Sequence, residues 1–575
     1  MCVPKALLPQ PTPARAHFRF FPSQVSSWPA ASTQRGAALL GALVWCWASG
    51  TFAATPGAAG TEPGAGGPTA AFRASPGAYP ASWAAQGRIT LDLPGLVQLS
   101  LLHNASVHAA RLQTAATAQL LNGEQALYEP ALVLRGRREG ADRPRTYEER
   151  TVGLTNIGKE SAIERYSSAV IGLRGKMPSG ASYELSQELR RRQSNLLATT
   201  TERENRGTLS LVFKQPLLRG AGRSMTEADL RIADLEQQIE QQRYTKQMLD
   251  TAAEAAGVYW QLYRAQRSLA LREISLATAD RLLEDSQRRV AGGVAPRVDT
   301  IDAELAVRQR QTDLARASLQ IRESGSRVLN LLNLSGVLHR ELAFAAEPPR
   351  SLRWERAGVP AQAPALAQGV PEPAWERLGD TWPGYQMARL RFEQEQVRLG
   401  FARNQVLPDL TLELSYNANS LTRGFRDSHS RLWEGVNPGW YVQLSLDIPL
   451  GNQRARSRED AQMTKLQAAR LQLEAEAKLL GNEWLVRADQ VEALWAEAQS
   501  LEQDTESLSR LVEAERLSFQ HGRARARDVI LIQDRLDEAR VRALDGWIKA
   551  ELADVALQVV DGRLLQTFGI SVASE

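Results

Sequence analysis

The chain has 575 residues, 43% hydrophobic and 23% charged, with 41 Gly and 27 Pro; these proportions exclude a collagen, a wholly disordered tail and a disulfide-held miniprotein, and leave ample chain for a large core. The net charge is +4, but Lys5, Arg15, Arg19 and Arg35 and both cysteines, Cys2 and Cys46, lie in the first 54 residues, which hold no Asp or Glu. Without that stretch the chain is neutral and free of thiols, so a nucleic-acid partner loses its electrostatic support and an oxidising compartment suits the remainder.

Residues 1–53 read as a secretory signal: Arg35, an apolar run over 37–47, then Ala48, Ser49, Gly50, Thr51 and Ala53, the order of charge, apolar core and small-residue cleavage site. Two competing readings are a single membrane anchor, which needs about 20 apolar residues where the run is shorter, and lipid attachment at Cys46, where Trp45 stands in place of a small residue. Residues 54–88, rich in Ala, Gly and Pro, bury too little apolar surface to repay ordering and read as a flexible leader.

From residue 89 the chain repeats, as 89–342 and 374–575 on either side of a Pro/Ala-rich linker at 343–373. Pro130 precedes a strand over 131–137, and Pro408 precedes the alternating 409–416, one face of which is Leu410, Leu412, Leu414 and Tyr416. Returning strands follow at 209–213 and 440–448, the latter with Trp440, Val442, Leu444, Leu446 and Ile448 on one face. Pro130 to Pro216 spans 86 residues against 41 from Pro408 to Pro449, so the first repeat carries an insertion of about 45, in which 169–173 and 183–185 around Pro178-Ser179-Gly180 predict an extra hairpin.

Eight residues after each closing Pro stands a Ser, and Ser224 with Glu227 forms a predicted capping box, Ser457 with Asp460 a weaker one. No Pro interrupts 224–293 or 457–522. In the second stretch Leu466, Ala469, Leu473, Ala477, Leu480, Trp484, Ala488, Val491, Trp495 and Ala498 recur at steps of three and four. Each stretch is therefore expected to be one helix about 100 Å long. Helical patterns return over 298–334 and 529–568, so each half contains a long helical hairpin turning at Gly293 or Gly522, with Asp299 and Asp528 six residues beyond the turn. The Arg and Glu residues of these helices read as solvated faces with i,i+4 pairs, and Trp484 and Trp495 as packing residues.

Alternating strands fit either a soluble sheet or the wall of an outer-membrane barrel; the signal sequence and Tyr416, Trp433 and Trp440 near the strand ends favour the wall. Two strands per repeat give four per chain, whereas the smallest membrane barrels use eight. Several copies must then combine, and three supply twelve strands unless the inserted hairpin joins the wall and changes the count.

At this point the chain resembles the TolC-type family of outer-membrane efflux and secretion channels. The likeness rests on Arg403-Asn404-Gln405-Val406-Leu407-Pro408-Asp409-Leu410 before a strand, Gln215-Pro216-Leu217-Leu218-Arg219-Gly220-Ala221-Gly222 after one, the two tips at Gly293 and Gly522, and their tandem spacing over about 89–570. The resemblance implies a mainly α chain with transmembrane β structure. In a homotrimer it would form a twelve-stranded β-barrel in the outer membrane, set in lipid, and an α-helical barrel through the periplasm, with a belt formed by the linker and the C-terminus. It also implies docking of a periplasmic adaptor protein, itself coupled to an inner-membrane pump, at tips formed here by Gly293, Val294, Arg297, Gly522, Arg523 and Arg525. Acidic residues ring the entrance in that family; the matching positions are Asp528 and Leu531, so half the ring is missing, while Asp299 and Asp302 keep the spacing in the first repeat. For all three Asp residues the competing reading is stabilisation of a helix N-terminus.

The expected function is a passive conduit from periplasm or inner-membrane pump to the exterior, as part of a tripartite efflux pump or type I secretion system, and the rival readings are a periplasmic adaptor or a soluble coiled-coil scaffold. An enzyme is not expected and no cofactor is implied. Gly153 to Lys159 has P-loop spacing, but Glu160 stands where a Ser or Thr would hold Mg²⁺, and the six His show no paired zinc-ligand spacing.

Overall fold

The computed structural model describes residues 88–147, 161–195, 203–334, 343–347, 378–433 and 437–570. The expected signal at 1–53, the leader up to residue 87, the P-loop-like 153–160 and the linker beyond residue 347 lie outside the described residues.

Six strands make one antiparallel sheet: β2 (Ala131–Pro144), β3 (Ser161–Lys176), β4 (Ser182–Ser194), β5 (Arg203–Pro216), β7 (Asp409–Thr422) and β8 (Pro438–Asp447), in the spatial order β2-β3-β4-β5-β7-β8. The expectation of four strands per chain is corrected here. The inserted hairpin β3–β4 does not stand apart but lies inside the sheet, hydrogen-bonded to β2 on one side and β5 on the other. An inserted strand pair preserves the up-and-down polarity of every other strand, so the ladder accepts it without rearrangement. Three copies would therefore carry eighteen strands, and the twelve expected from sequence do not follow.

The long helices are α3 (Ala228–Ala291) and α7 (Gln453–Gln520), of 64 and 68 residues, each about 100 Å at 1.5 Å per residue. Each turns back into a helix of 35 residues, α4 (Arg297–Leu331) and α8 (Ala526–Val560). Neither expected Ser cap forms. Glu227 precedes α3, and its carboxylate is engaged by the Arg223 guanidinium at 2.8 Å and the Tyr128 hydroxyl at 2.9 Å. In the second repeat the helix starts four residues before Ser457, after Asn452 in the left-handed conformation. The second return pattern also stops short of Phe568. At Gly562, φ is +69° and a side chain would meet Thr381 at 2.6 Å, so the chain breaks before the short helix α9 (Leu564–Thr567).

Near the sheet, α2 (Ala105–Gln125) packs on α3, and α5 (Pro383–Gln405) fills the gap between α3 and α7. Farther out, α8 lies against both α7 and α3, and α4 against α3. The main core wraps the middle of α3. There Tyr259, Trp260 and Leu262 meet α1 (Leu93–His103), α9 and Phe344 of β6 (Ala343–Ala346), which pairs in parallel with β1 (Arg88–Leu91). Trp484 packs with Leu378, Leu480 and Val560, and Trp495 meets Trp547 edge to face.

Candidate functional site

The sheet has two chemically distinct faces. Cross-strand register places Leu132, Leu173, Leu185, Leu211, Tyr416 and Trp440 in one row running across all six strands. Gly175, Tyr183, Phe213, Leu414 and Val442 form a parallel row on the same face. Tyr183 lies over Gly175, but the margins of this surface stand open: Leu132 is 65% exposed, Val442 60% and Trp440 75%. A contiguous apolar surface six strands wide is far more than a soluble monomer leaves in water. Along β7 it runs from Leu410 to Tyr416, about 20 Å at ~3.3 Å per residue, near the height of a lipid-facing band, and Tyr416 beside Trp440 places aromatic rings at its outer margin.

The opposite face is polar. Arg174, Glu184, Val212, Ser415 and Tyr441 form one row and Lys176, Ser182, Lys214, Glu413 and Gln443 the next. Lys214 pairs with Glu413 at 3.0 Å, and Tyr441 donates to the same carboxylate at 2.8 Å. Period-two alternation thus separates a surface that tolerates hydrocarbon from one that tolerates water.

At the far end of the molecule the two repeats close in the same way. In the first, the N–H of Gly293 donates to the Val290 carbonyl at 3.0 Å and that of Val294 to Arg289 at 2.9 Å. In the second, Gly522 donates to Phe519 at 2.9 Å and Arg523 to Ser518 at 2.9 Å. Both glycines have positive φ, +71° and +77°, the left-handed turn that satisfies the last carbonyls of a helix. The structure brings the tips together: the Arg289 guanidinium lies 4.5 Å from the centre of the Phe519 ring and donates to the Phe519 carbonyl.

The acidic candidates differ. Asp528, exposed in the first turn of α8, accepts the backbone N–H of Arg525 at 3.1 Å, so its carboxylate serves the helix start. Asp299, in the first turn of α4, is 6% exposed, and Asp302 is half-buried one turn on. Val294, Arg297, Arg523 and Arg525 are exposed around the tips.

One constellation departs from the expected solvated arginines. Arg310 of α4, 5% exposed, reaches across to α8 and pairs with Asp534 at 2.5 Å and with Asp537 at 3.7 Å. Asp537 also accepts the Ser275 hydroxyl of α3 and the Gln533 amide at 3.1 Å. This lock joins the two repeats. Its signal was present in the sequence, because Arg310 stands at helical spacing in the buried series Ala303, Ala306, Val307 and Ala317, where a charge needs a partner.

The lateral edges are open along the whole length. In the sheet, β2 and β8 each have one unpaired side. In the helical layer, Leu112 and Leu120 of α2, Leu305 and Leu319 of α4, and Leu471, Leu479 and Leu511 of α7 are exposed. Only six residues of the 68 in α7 are buried, too few to hold so long a rod without a neighbour. Among the described residues no helix is long and apolar enough to cross a membrane, and no group of three metal-capable side chains assembles.

Solved structures share this architecture. The outer membrane protein VceC of Vibrio cholerae is 16% identical, covers 82% of this chain and 96% of its own, and superposes with a TM-score of 0.56. The MtrE outer membrane channel of Neisseria gonorrhoeae, in its open state, is 16% identical over 82% of this chain and 88% of its own, with a TM-score of 0.54. The CmeC outer membrane channel of Campylobacter jejuni is 11% identical over 84% of this chain and 87% of its own, with a TM-score of 0.56. No protein-family model matches the chain, and no curated protein matches it. The chain therefore has the fold of outer-membrane channels, the fold that the resemblance to the TolC-type family implied, with six strands in its sheet where four were expected.

Proposed function

We propose that this chain is the outer-membrane channel of a tripartite efflux pump or type I secretion system. Three copies surround one water-filled passage, with the sheets in the outer membrane and the helices in the periplasm. The observation that carries this reading is the unbroken apolar surface on one face of the sheet, backed by a polar face and flanked by edges left open from β2 and β8 down to α4 and α7. Backbone groups at a membrane edge must be paired, and a heterologous contact, one edge to the opposite edge of the next copy, closes a ring. The solved structures that share this fold include outer-membrane channels, which supports the reading.

In this reading residues 1–53 direct export and are removed, 54–88 form a leader, and 343–373 with the C-terminal segment form a belt near the helical midpoint. The passage performs no chemistry; solutes cross it in water, and charge at its narrowest point sets which ions linger. The tips at Gly293, Val294, Arg297, Gly522, Arg523 and Arg525 meet a periplasmic adaptor, and the adaptor couples the conduit to an inner-membrane pump. Asp299, Asp302 and Asp528 supply negative charge at the entrance. The test is reconstitution of detergent-purified protein into planar bilayers with the native mass measured in parallel. Discrete conductance steps from a trimer are expected; a protein that leaves the envelope in buffer without detergent and conducts nothing would return the scaffold reading to first place.

A further inference from the structure

We propose, on the basis of the channel reading above, that β8 of one copy pairs with β2 of a second copy to close a wall of eighteen strands in the trimer, with the β3–β4 hairpin a permanent third of that wall. The first argument is the row from Leu132 to Trp440. Its second and third members, Leu173 and Leu185, belong to the hairpin and stand in line with those of the other four strands. A hairpin folded away from the wall would have no reason to carry the same face at the same height.

The second argument is that the hairpin is tied in at both ends. At its turn, the Ser179 carbonyl accepts the Gly222 N–H at 3.0 Å and the Gln215 amide at 3.0 Å, the Ser179 hydroxyl donates to Gln215 at 2.9 Å, and Gly180 fits where a side chain would meet the Gly220 carbonyl at 2.5 Å. At the far end Arg192 of β4 bridges Glu164 of β3 and Glu204 of β5, the latter at 3.2 Å. Helix α6 (Phe425–Trp433), which follows β7, reaches back over β5, where Leu432 seats on Gly207, and on to β4, where His429 meets Gln187 at 2.6 Å. Removing the hairpin from the wall breaks all three ties.

The third argument identifies the occupant of the free edges. Strands β2 and β8 run in opposite senses, as an antiparallel seam requires. The exposed Trp440, Val442, Leu444 and Leu446 would meet Leu132 and Leu134 and continue the apolar surface without a gap. On the polar side β8 brings Asp447 and β2 brings Arg135 and Arg137, opposite signs on the two partners. Barrel diameter grows roughly in proportion to strand number, so this wall is about 1.5 times as wide as one of twelve strands. The hairpin supplies Glu184, Glu188, Arg190 and Arg192 to its lining.

The experiment is electron cryomicroscopy of the full chain in lipid nanodiscs, counting strands, with polymer exclusion measured from the outer side in bilayers. Eighteen strands with β8 beside β2, and an exclusion limit about 1.5-fold wider than that of a variant lacking 145–202, are expected. A trimer with twelve strands and β3–β4 outside the wall overturns this proposal and leaves the channel reading intact. Separate chains with no central passage overturn both. Should the deletion variant fail to fold, the strand count in the full chain decides alone.

Discussion

The two repeats of this chain agree at one end and disagree at the other. Their helical tips turn through the same pair of backbone hydrogen bonds, with return helices of 35 residues each, whereas their contributions to the sheet are four strands and two. The difference follows from what each architecture tolerates. Helices side by side in one layer must reach the same depth, so a change of length in one repeat leaves its tip without the neighbour that Arg289 and Phe519 provide. An antiparallel sheet grows by pairs of strands, each pair returning the chain to the side it left, and every pairing outside the insertion is untouched.

Four tests break or sharpen that comparison. The largest effect is expected at the lock between the repeats. Replacing Arg310 by Ala removes the buried cation shared by Asp534 and Asp537 and leaves buried Asp537 with only the more exposed Arg540, at 3.8 Å; it should cost ~3–5 kcal/mol in denaturant unfolding. The exposed pair Arg510–Glu506 should cost under about 0.5 kcal/mol on the same treatment. Equal losses at the two sites would remove the case for a lock.

Next comes the two-faced sheet. Leu444→Arg, on the apolar face, should destabilise the protein in lipid by ~2–4 kcal/mol, while Gln443→Arg, on the polar face, should leave stability unchanged and alter ion selectivity. Selectivity shifts from the first and none from the second would mean that the faces have been assigned the wrong way round.

The third test asks how alike the tips are. Gly293→Ala and Gly522→Ala both place a side chain at positive φ, with a cost of ~1–2 kcal/mol. A side chain at Gly522 also meets the Arg289 guanidinium at 3.3 Å, whereas none is near at Gly293. Thermal unfolding should therefore fall further for Gly522→Ala, and adaptor crosslinking should fall for both; the reverse order of stability would show that the Arg289 contact does not couple the tips.

The smallest effect belongs to the acids. Asp528→Asn weakens the start of α8 by ~0.3–1 kcal/mol. Neutralising Asp299, Asp302 and Asp528 together should lower cation selectivity and block by multivalent cations in single-channel recordings. Unchanged currents with the stability loss intact would leave helix capping as the only role of Asp528.

Much of this architecture was legible in the residues themselves. Period-two alternation marked β7 and β8, the Pro-free stretches with steps of three and four marked α3 and α7, and Gly293 and Gly522 marked their ends, because each of these signals reports on a residue's immediate neighbours. Helix starts were not legible in the same way. Ser224 and Ser457 had the composition of helix caps, yet Glu227 was drawn to Arg223 and Tyr128, and α7 began a turn early at Asn452.

Sequence alone determined that the chain is duplicated, that its strands have one apolar face, and that its rods are too long to stand without neighbours. Only the tertiary structure decided that the inserted hairpin lies within the sheet and that Arg310 meets Asp534 and Asp537. Strand order and the partner of a buried charge depend on residues distant along the chain, and local periodicity carries no information about which distant segments meet. The row of side chains from Leu132 to Trp440 is the same alternation seen in single strands, made continuous by register.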